Sequence, residues 1–351
     1  MRLTRPRSEP EVGEIADGLC LRGPLWLGSG ASYDDGRVLI SADGLVADVG
    51  AARDLDPGDI EEIRVGWIGP GLIDAHVHLG FGDPDHVLRH GVVKVRDLGA
   101  PPADAARYRK LAAPRVEVAG PLLTAPGGYP SRSWGSGGYA AFVDDPAQVE
   151  RLVAGLCTQV DVVKLALEPS GGLPVPSAEV AAAVVRVAHD NDREVTCHAL
   201  TVAMVERALD AGVDELAHTP TEALPAEVIQ RFASAGVRVV STLQTFVAGG
   251  GPAGAIAVDN ARRLVEAGVS LRYGTDLGNA GTRPGAEPKE LRLLDREVGL
   301  GPEGALRAAT DPITVGAPAA LVGLSGDPLA DPGRYRDAEA VVVGRTLLRR
   351  L

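Results

Sequence analysis

Pro70-Gly71-Leu72-Ile73-Asp74-Ala75-His76-Val77-His78 is the stretch on which the fold turns. An apolar run of strand length ends in His-x-His, and because side chains alternate along a strand, both imidazoles fall on one face. Two neutral imidazoles on one face can chelate a divalent ion. Taken alone, the pair is equally compatible with two ordinary histidines at a strand end, so the rest of the chain must decide.

Working outward, the first strand is read at residues 71–76, and seven further β-branched or apolar runs stand at 92–97, 116–123, 160–165, 194–198, 215–218, 237–243 and 269–275. Segments with helical apolar spacing separate them, among them 177–189, 202–211, 226–235 and 254–267. Three of these lead into Ala-Gly-Val (Ala211-Gly212-Val213, Ala235-Gly236-Val237, Ala267-Gly268-Val269), where glycine supplies a left-handed helix end and valine opens the next strand. Eight strand–helix alternations predict an α/β protein built on a (β/α)8 TIM barrel. A doubly wound open sheet is the alternative, but no Gly-x-Gly-x-x-Gly turn follows a first strand.

The chain ends read differently. Short runs at 19–22, 37–40 and 45–49, with Asp35-Gly36 and Asp43-Gly44 as turns between them, and runs at 319–322 and 340–348, predict a small β-sandwich assembled from both ends. The expected organisation is residues 1–67 as the N-terminal sandwich part, with 1–16 a flexible tail, residues 68–312 as the barrel, and residues 313–351 as the C-terminal sandwich part. Two glycine-rich loops, 124–145 and 277–288, are expected over the C-terminal barrel face, where such folds hold their active sites.

Composition narrows the partners. The 351 residues are 45% hydrophobic and 23% charged, enough to bury a core, and the net charge of −12 argues against nucleic acid and anionic membranes. Aromatics make up only 4% of the chain, so no base-stacking platform is expected. Cys20, Cys157 and Cys197 form no paired framework, and no apolar leader or spanning segment is visible, so a cytoplasmic protein acting on a small molecule is expected. Monomer and homo-oligomer are both compatible with the sequence.

The other strand ends supply the context that His-x-His lacks. Lys164 sits in the apolar run Val162-Val163-Lys164-Leu165-Ala166, where a lone ammonium is expensive to bury. His198 ends the fifth strand, His218 the sixth and Asp276 the eighth, so six ligand-competent groups converge on one barrel mouth. Singly, Lys164 is also readable as one half of a buried ion pair and Asp276 as a helix N-cap.

With these residues in place, the chain resembles the amidohydrolase superfamily of metal-dependent hydrolases, and within it the imidazolonepropionase-related branch. The likeness runs from Pro-Gly-Leu-Ile-Asp-Ala-His-Val-His through Val95-Arg96-Asp97-Leu98-Gly99 to Gly274-Thr275-Asp276, and on to Gly326-Asp327-Pro328-Leu329 and Val341-Val342-Val343-Gly344. The resemblance implies that His76, His78 and Asp276 bind one ion and that His198 and His218 bind a second. It further implies that Lys164, carbamylated by CO2, bridges the two. Zn2+ is the expected metal, with Mn2+ or Fe2+ as alternatives. A metal-bridging hydroxide would attack an amide or cyclic amide, and Asp276 would shuttle the proton to the leaving nitrogen. Burial lowers a lysine pKa and frees the amine for carbamylation.

Alternatives at the same site are deamination, decarboxylation or a biosynthetic cyclisation and hydrolysis. Further ones are a mononuclear centre of His76, His78, Asp276 and His198 with Lys164 structural, and a non-catalytic barrel. Where relatives carry Gly-Gly-His, this chain has Gly127-Gly128-Tyr129, making Tyr129 either a hydrogen-bond donor to the substrate or oxyanion, or a loop residue. Ala217 stands where many relatives have Glu, and a C-terminal hairpin is missing between Val315 and Ala319. Tyr129, Arg132 and Trp134 of the 124–145 loop are the candidate substrate contacts. His86 with His90, His189 and Cys197 read as ordinary residues. Arg96-Asp97 reads as a structural ion pair or as a pair supporting the site at the barrel mouth, and one of Arg272 and Tyr273 is expected to face the barrel interior.

Overall fold

The computed structural model describes residues 10–278 and 285–350. Barrel strands run in the expected order: Leu72–Val77, Val92–Asp97, Arg115–Val118 continued by Leu122–Thr124, Val162–Leu167, Glu194–Ala199, Glu215–Leu216, Arg238–Val240 and Leu271–Arg272. Successive strands pair in parallel. The ring closes where Ala75 N donates to Tyr273 O at 3.0 Å, Asp276 N to His76 O at 2.8 Å and His78 N to Leu277 O at 2.9 Å.

The third strand, expected to be continuous over 116–123, breaks at Ala119-Gly120-Pro121. Gly120 is left-handed at φ +66° and Pro121 has no N–H to donate, so the strand changes partner there. Its first half pairs with the second barrel strand, its second half with the fourth.

The outer helices form as their apolar spacing requires. Ala178–Asp190 begins where the Ser177 hydroxyl accepts from Val180 N at 3.2 Å, and it buries Val180, Ala181, Val184, Val187 and Ala188 against the barrel wall. Val202–Ala211 and Ala226–Ala235 end on Gly212 and Gly236, both left-handed, as the Ala-Gly-Val pattern predicts. Among the described residues no helix is long and apolar enough to cross a membrane.

Strands from both chain ends join in one continuous nine-stranded sheet. Its order is Glu11–Glu14, Thr346–Arg349, Ala340–Val343, Ala320–Leu324, Trp67–Pro70, Leu19–Trp26, Ser32–Ile40 and Val46–Ala51, with Glu61–Arg64 beside Leu19–Trp26. The sheet curls over its own core of Leu19, Leu21, Val38, Ile40, Ile68, Leu321 and Val342, so both halves share one apolar interior.

Three local expectations change here and one holds. Residues 1–9 lie outside the described residues, but Glu11–Glu14, expected within a flexible tail, pairs antiparallel with Thr346–Arg349, because the edge strand offers unpaired backbone groups. Asp35-Gly36 is not a turn. It lies inside Ser32–Ile40, where a Cβ on Gly36 would come within 2.7 Å of the Leu25 side chain, so the glycine serves close packing. Asp43-Gly44 does turn, with Gly44 at φ +76°. The run 340–348 is two strands, reversed at the left-handed Gly344.

The lower barrel interior is filled by charge. Glu215, fully buried, accepts from Arg96 Nη1 and Arg272 Nη1, each at 3.0 Å, and from Thr196 Oγ1 at 3.1 Å. Arg96 also bonds Glu117 at 3.0 Å. Arg96 therefore pairs across the barrel rather than with Asp97, since neighbouring strand residues point to opposite faces. Asp97 instead accepts from Leu79 N at 2.7 Å and Gly99 N at 3.2 Å. Of Arg272 and Tyr273, Arg272 faces the interior. Tyr273 is buried against the outer layer, where its hydroxyl accepts from Glu287 N at 2.8 Å.

Candidate metal centre

His76 and His78 project together from the end of the first barrel strand, both buried. His76 Nε2 lies 3.4 Å from His78 Nε2 and 3.4 Å from Asp276 Oδ1, and His78 Nε2 lies 3.5 Å from that same oxygen. This is a nearly equilateral triangle of donor atoms. A tetrahedral ion with bonds of about 2.1 Å needs ligand atoms about 3.4 Å apart, so the triangle has the dimensions of one face of such a site. Among the described residues it is the one group of three or more histidine, cysteine or carboxylate side chains close enough to hold a metal.

The surrounding backbone fixes each ligand. His76 Nδ1 donates to Ala217 O at 2.8 Å, which leaves the Nε2 lone pair for a metal. Asp74, two residues earlier, accepts from His76 N at 3.1 Å, Thr275 N at 3.0 Å and Thr275 Oγ1 at 2.5 Å, and so ties the first strand to the eighth. Gly274 permits that contact, since a Cβ there would lie 2.3 Å from Val240 Cγ1 and 3.2 Å from His76 Cβ. Asp276 and Thr242 both adopt left-handed backbone, at φ +53° and +42°, strain of the kind that collects at functional sites.

Lys164 stands below the triangle, 1% exposed, and its Nζ makes no hydrogen bond. Burial pushes its pKa down to about 8 against the opposing pull of Asp276. Burial likewise lowers all four site imidazoles, His78 to about 3, so they stand as neutral ligands at ordinary pH. An orphaned lysine beside neutral histidines and a carboxylate is the donor set that a carbamate bridge between two cations requires. The residues present fit a divalent metal centre.

His218 hydrogen-bonds Thr242 Oγ1 through Nδ1 at 2.9 Å, and its ring lies 4.6 Å from that of His76 and 4.8 Å from that of His198. His198 brings in a residue the sequence reading missed: its Nε2 donates to Glu168 Oε2 at 2.8 Å. Burial opposes ionisation of Glu168, but bonds from His198 and Ser170 outweigh it and hold the carboxyl at about 2. Glu168 follows Lys164 by four residues, just past the end of the same strand, so continued period-two alternation puts both on one face. That spacing was the available signal.

The six expected ligands line one cavity of about 110 Å3, together with Tyr129, Trp134, Phe81, Leu122 and Gly278. Tyr129 Oη accepts from Trp134 Nε1 at 3.3 Å, and its ring packs 5.1 Å from that of His198. Arg132 does not join them. Successive turns at Gly128–Ser131 and Pro130–Ser133 face Tyr129 and Trp134 inward and leave Arg132 exposed, outside the cavity lining. A larger groove of about 480 Å3 opens between the helices Pro102–Tyr108 and Pro146–Cys157, but the ligand-competent side chains converge on the smaller cavity.

The histidines and cysteine expected to be ordinary lie elsewhere or point away. His189 pairs with Asp214 at 2.9 Å. The His86 and His90 rings lie 5.4 Å apart, and no third ligand joins them among the described residues. Cys197 is fully buried, its thiol pushed up to about 12 by burial, as suits packing rather than nucleophilic attack.

Residues 67–312 match the profile of the amidohydrolase family. The chain is 27% identical over 325 residues to an uncharacterized protein of Mycobacterium tuberculosis, covering 80% of this chain and 85% of that one. Its fold is similar to that of a Xaa-Pro dipeptidase solved with methionine in the active site, with a TM-score of 0.81, 22% identity, and coverage of 95% of this chain and 100% of the other. It is also similar to that of ochratoxinase from A. niger, with a TM-score of 0.80, 21% identity, and coverage of 94% and 95%.

Proposed function

The chain belongs to the amidohydrolase family, and from that premise we propose that it is a metal-dependent hydrolase of a C–N bond in a small amide, cyclic amide or peptide-like molecule. The observation that carries this reading is the triangle of His76, His78 and Asp276 donor atoms, 3.4–3.5 Å on a side, set beside the unpartnered Lys164 amine. His76, His78 and Asp276 would hold one divalent ion and His198 and His218 a second, with Lys164 as a carbamate between them and Zn2+ as the first candidate. When bound, such ions supply Lewis acidity toward a carbonyl and deprotonated water at neutral pH.

The chain's own residues do the rest. Asp276, held by its strained backbone against both first-strand imidazoles, takes a proton from the attacking water and returns it to the leaving nitrogen. Tyr129 already accepts the Trp134 N–H, so its own hydroxyl proton is left to donate to the substrate carbonyl oxygen as negative charge develops there. Glu168 fixes the His198 ring through Nε2, which presents Nδ1 as the ligand atom. The aromatic wall above the cavity limits water entry.

The test couples metal content to activity. Protein loaded with Zn2+ is expected to hold about two ions per chain and to hydrolyse at least one member of a panel of N-acyl amino acids, dipeptides, lactams and hydantoin-like rings, with loss of activity on chelation. Lys164→Ala is expected to lose metal and activity together, and a small added carboxylic acid to restore part of both. Two ions per chain with undiminished activity in Lys164→Ala removes the bridging role. Metal-free protein that still hydrolyses the panel removes the metal mechanism.

A further inference from the structure

The cavity has a chemical bias that the metal ligands do not explain. The chain has thirteen aromatic residues, and four of them, Phe81, Tyr129, Trp134 and Tyr139, gather at this mouth. Trp134 is the hub. It packs edge-on to Phe81 at 5.9 Å, to Tyr129 at 6.0 Å, to Tyr139 at 5.8 Å and to the ligand His78 at 4.9 Å. Phe81 stacks on Tyr139 at 5.5 Å and is still 49% exposed, an apolar face open at the rim. Edge-to-face and offset rings of this kind favour another aromatic ring, and in a sequence so poor in aromatics the concentration is local rather than compositional.

Charge points the same way. Among the described residues Lys164 is the one lysine or arginine lining the cavity, and it is buried. Arg132, the cation expected to meet a substrate carboxylate, is exposed and lies outside the cavity lining, its guanidinium over Gly127. Among the described residues, an anionic group at the rim would therefore meet aromatic faces with no guanidinium or ammonium to pair it. The cavity volume of about 110 Å3 sets the size. A cavity of roughly 150 Å3 accepts benzene, so this smaller space suits the amide group and leaves a ring to lie at the open rim against Trp134 and Phe81.

Resting on the hydrolase reading above, we propose that the site takes an uncharged amide carrying one aromatic ring next to the scissile C–N bond, the ring lying against Trp134 and Phe81. Amides that end in a free carboxylate are discriminated against.

Acetanilide and 4-acetamidobenzoate, identical but for the carboxylate, are the probes. Their binding to metal-loaded protein is measured by calorimetry and by competition, alongside N-cyclohexylacetamide as the non-aromatic control. Acetanilide is expected to bind at least tenfold more tightly than 4-acetamidobenzoate and severalfold more tightly than the cyclohexyl compound. Trp134→Leu is expected to abolish the second preference while metal content stays unchanged. Equal or tighter binding of 4-acetamidobenzoate overturns the proposal, as does a cyclohexyl preference that Trp134→Leu leaves unaltered. Because binding is read without turnover, failure of hydrolysis counts against the reaction class alone, and failure of the binding order counts against the substrate class alone.

Discussion

Replacing Glu215 by Gln tests whether the barrel depends on the charge cluster below its metal centre. The Glu215 carboxylate is fully buried and takes hydrogen bonds from Arg96, Arg272 and Thr196. The amide keeps the volume but removes the charge that three guanidiniums face, those of Arg96, Arg272 and Arg238. Breaking a buried, hydrogen-bonded ion pair from one side costs about 3–5 kcal/mol, because the partner charge stays behind. Unfolding entropy of roughly 2.1 cal/mol/K per residue over 351 residues amounts to about 0.7 kcal/mol/K. Glu215→Gln should therefore lower Tm by about 4–7 °C in scanning calorimetry at fixed metal concentration, since bound ions also raise Tm. The pH dependence supplies a second check. Burial would raise the Glu215 pKa, but the guanidiniums of Arg96, Arg272 and Arg238 outweigh it and hold it below the ordinary value. A depressed pKa means that the ionic stabilisation is fully present above the unfolded value, about 4.3, and is lost as pH falls through the folded one. The difference between wild type and variant should stay constant from neutral pH to about pH 5 and shrink below about 4. A Tm change under 1 °C at neutral pH, or a difference that grows on acidification, would falsify the reasoning.

Two further outcomes concern the site. Glu168→Ala is expected to weaken the second ion about 10- to 100-fold in competition with a chelator, with Glu168→Gln partly restoring it. A variant that loses thermal stability but keeps its affinity for the second ion would make Glu168 merely structural. Tyr129→Phe should lower kcat about 100- to 1,000-fold with little change in KM, as for loss of a donor that acts on developing charge. An unchanged kcat would return Tyr129 to the loop.

The ligands were legible because strand geometry is simple. Period-two alternation places His76 beside His78, and the C-terminal ends of barrel strands share one mouth, so His198, His218 and Asp276 could be brought to that mouth from the alternating pattern, while their roles as ligands came from the family resemblance. Lys164 announced itself by the cost of its apolar surroundings. Glu168 obeyed the same alternation but was passed over, because an acid after an apolar strand also reads as a solvated loop residue, and only the His198 contact distinguishes the two. Arg132 and Trp134 are two residues apart in one loop, and nothing local to the sequence says which turns inward. The turns at Gly128 and Pro130 decide it. Asp35-Gly36 has the composition of a hairpin turn, yet packing against Leu25 uses the missing Cβ inside a strand.

By itself, the sequence determined the barrel, the strand ends that carry the ligands, and the helix ends at Gly212 and Gly236, because each follows from backbone periodicity or local φ preference. Tertiary structure decided what depends on groups far apart in the chain. It broke the third strand so that it could serve two neighbours, and it drew residues 11–14 onto the C-terminal edge. It paired Arg96 with Glu215 across the barrel and clamped the first strand to the eighth through Asp74 and Thr275. It also gathered four scarce aromatic rings over the candidate metal ligands. The physical reason is that local preferences operate over a few residues, whereas burial, charge pairing and ring packing depend on neighbours that only the closed fold brings together.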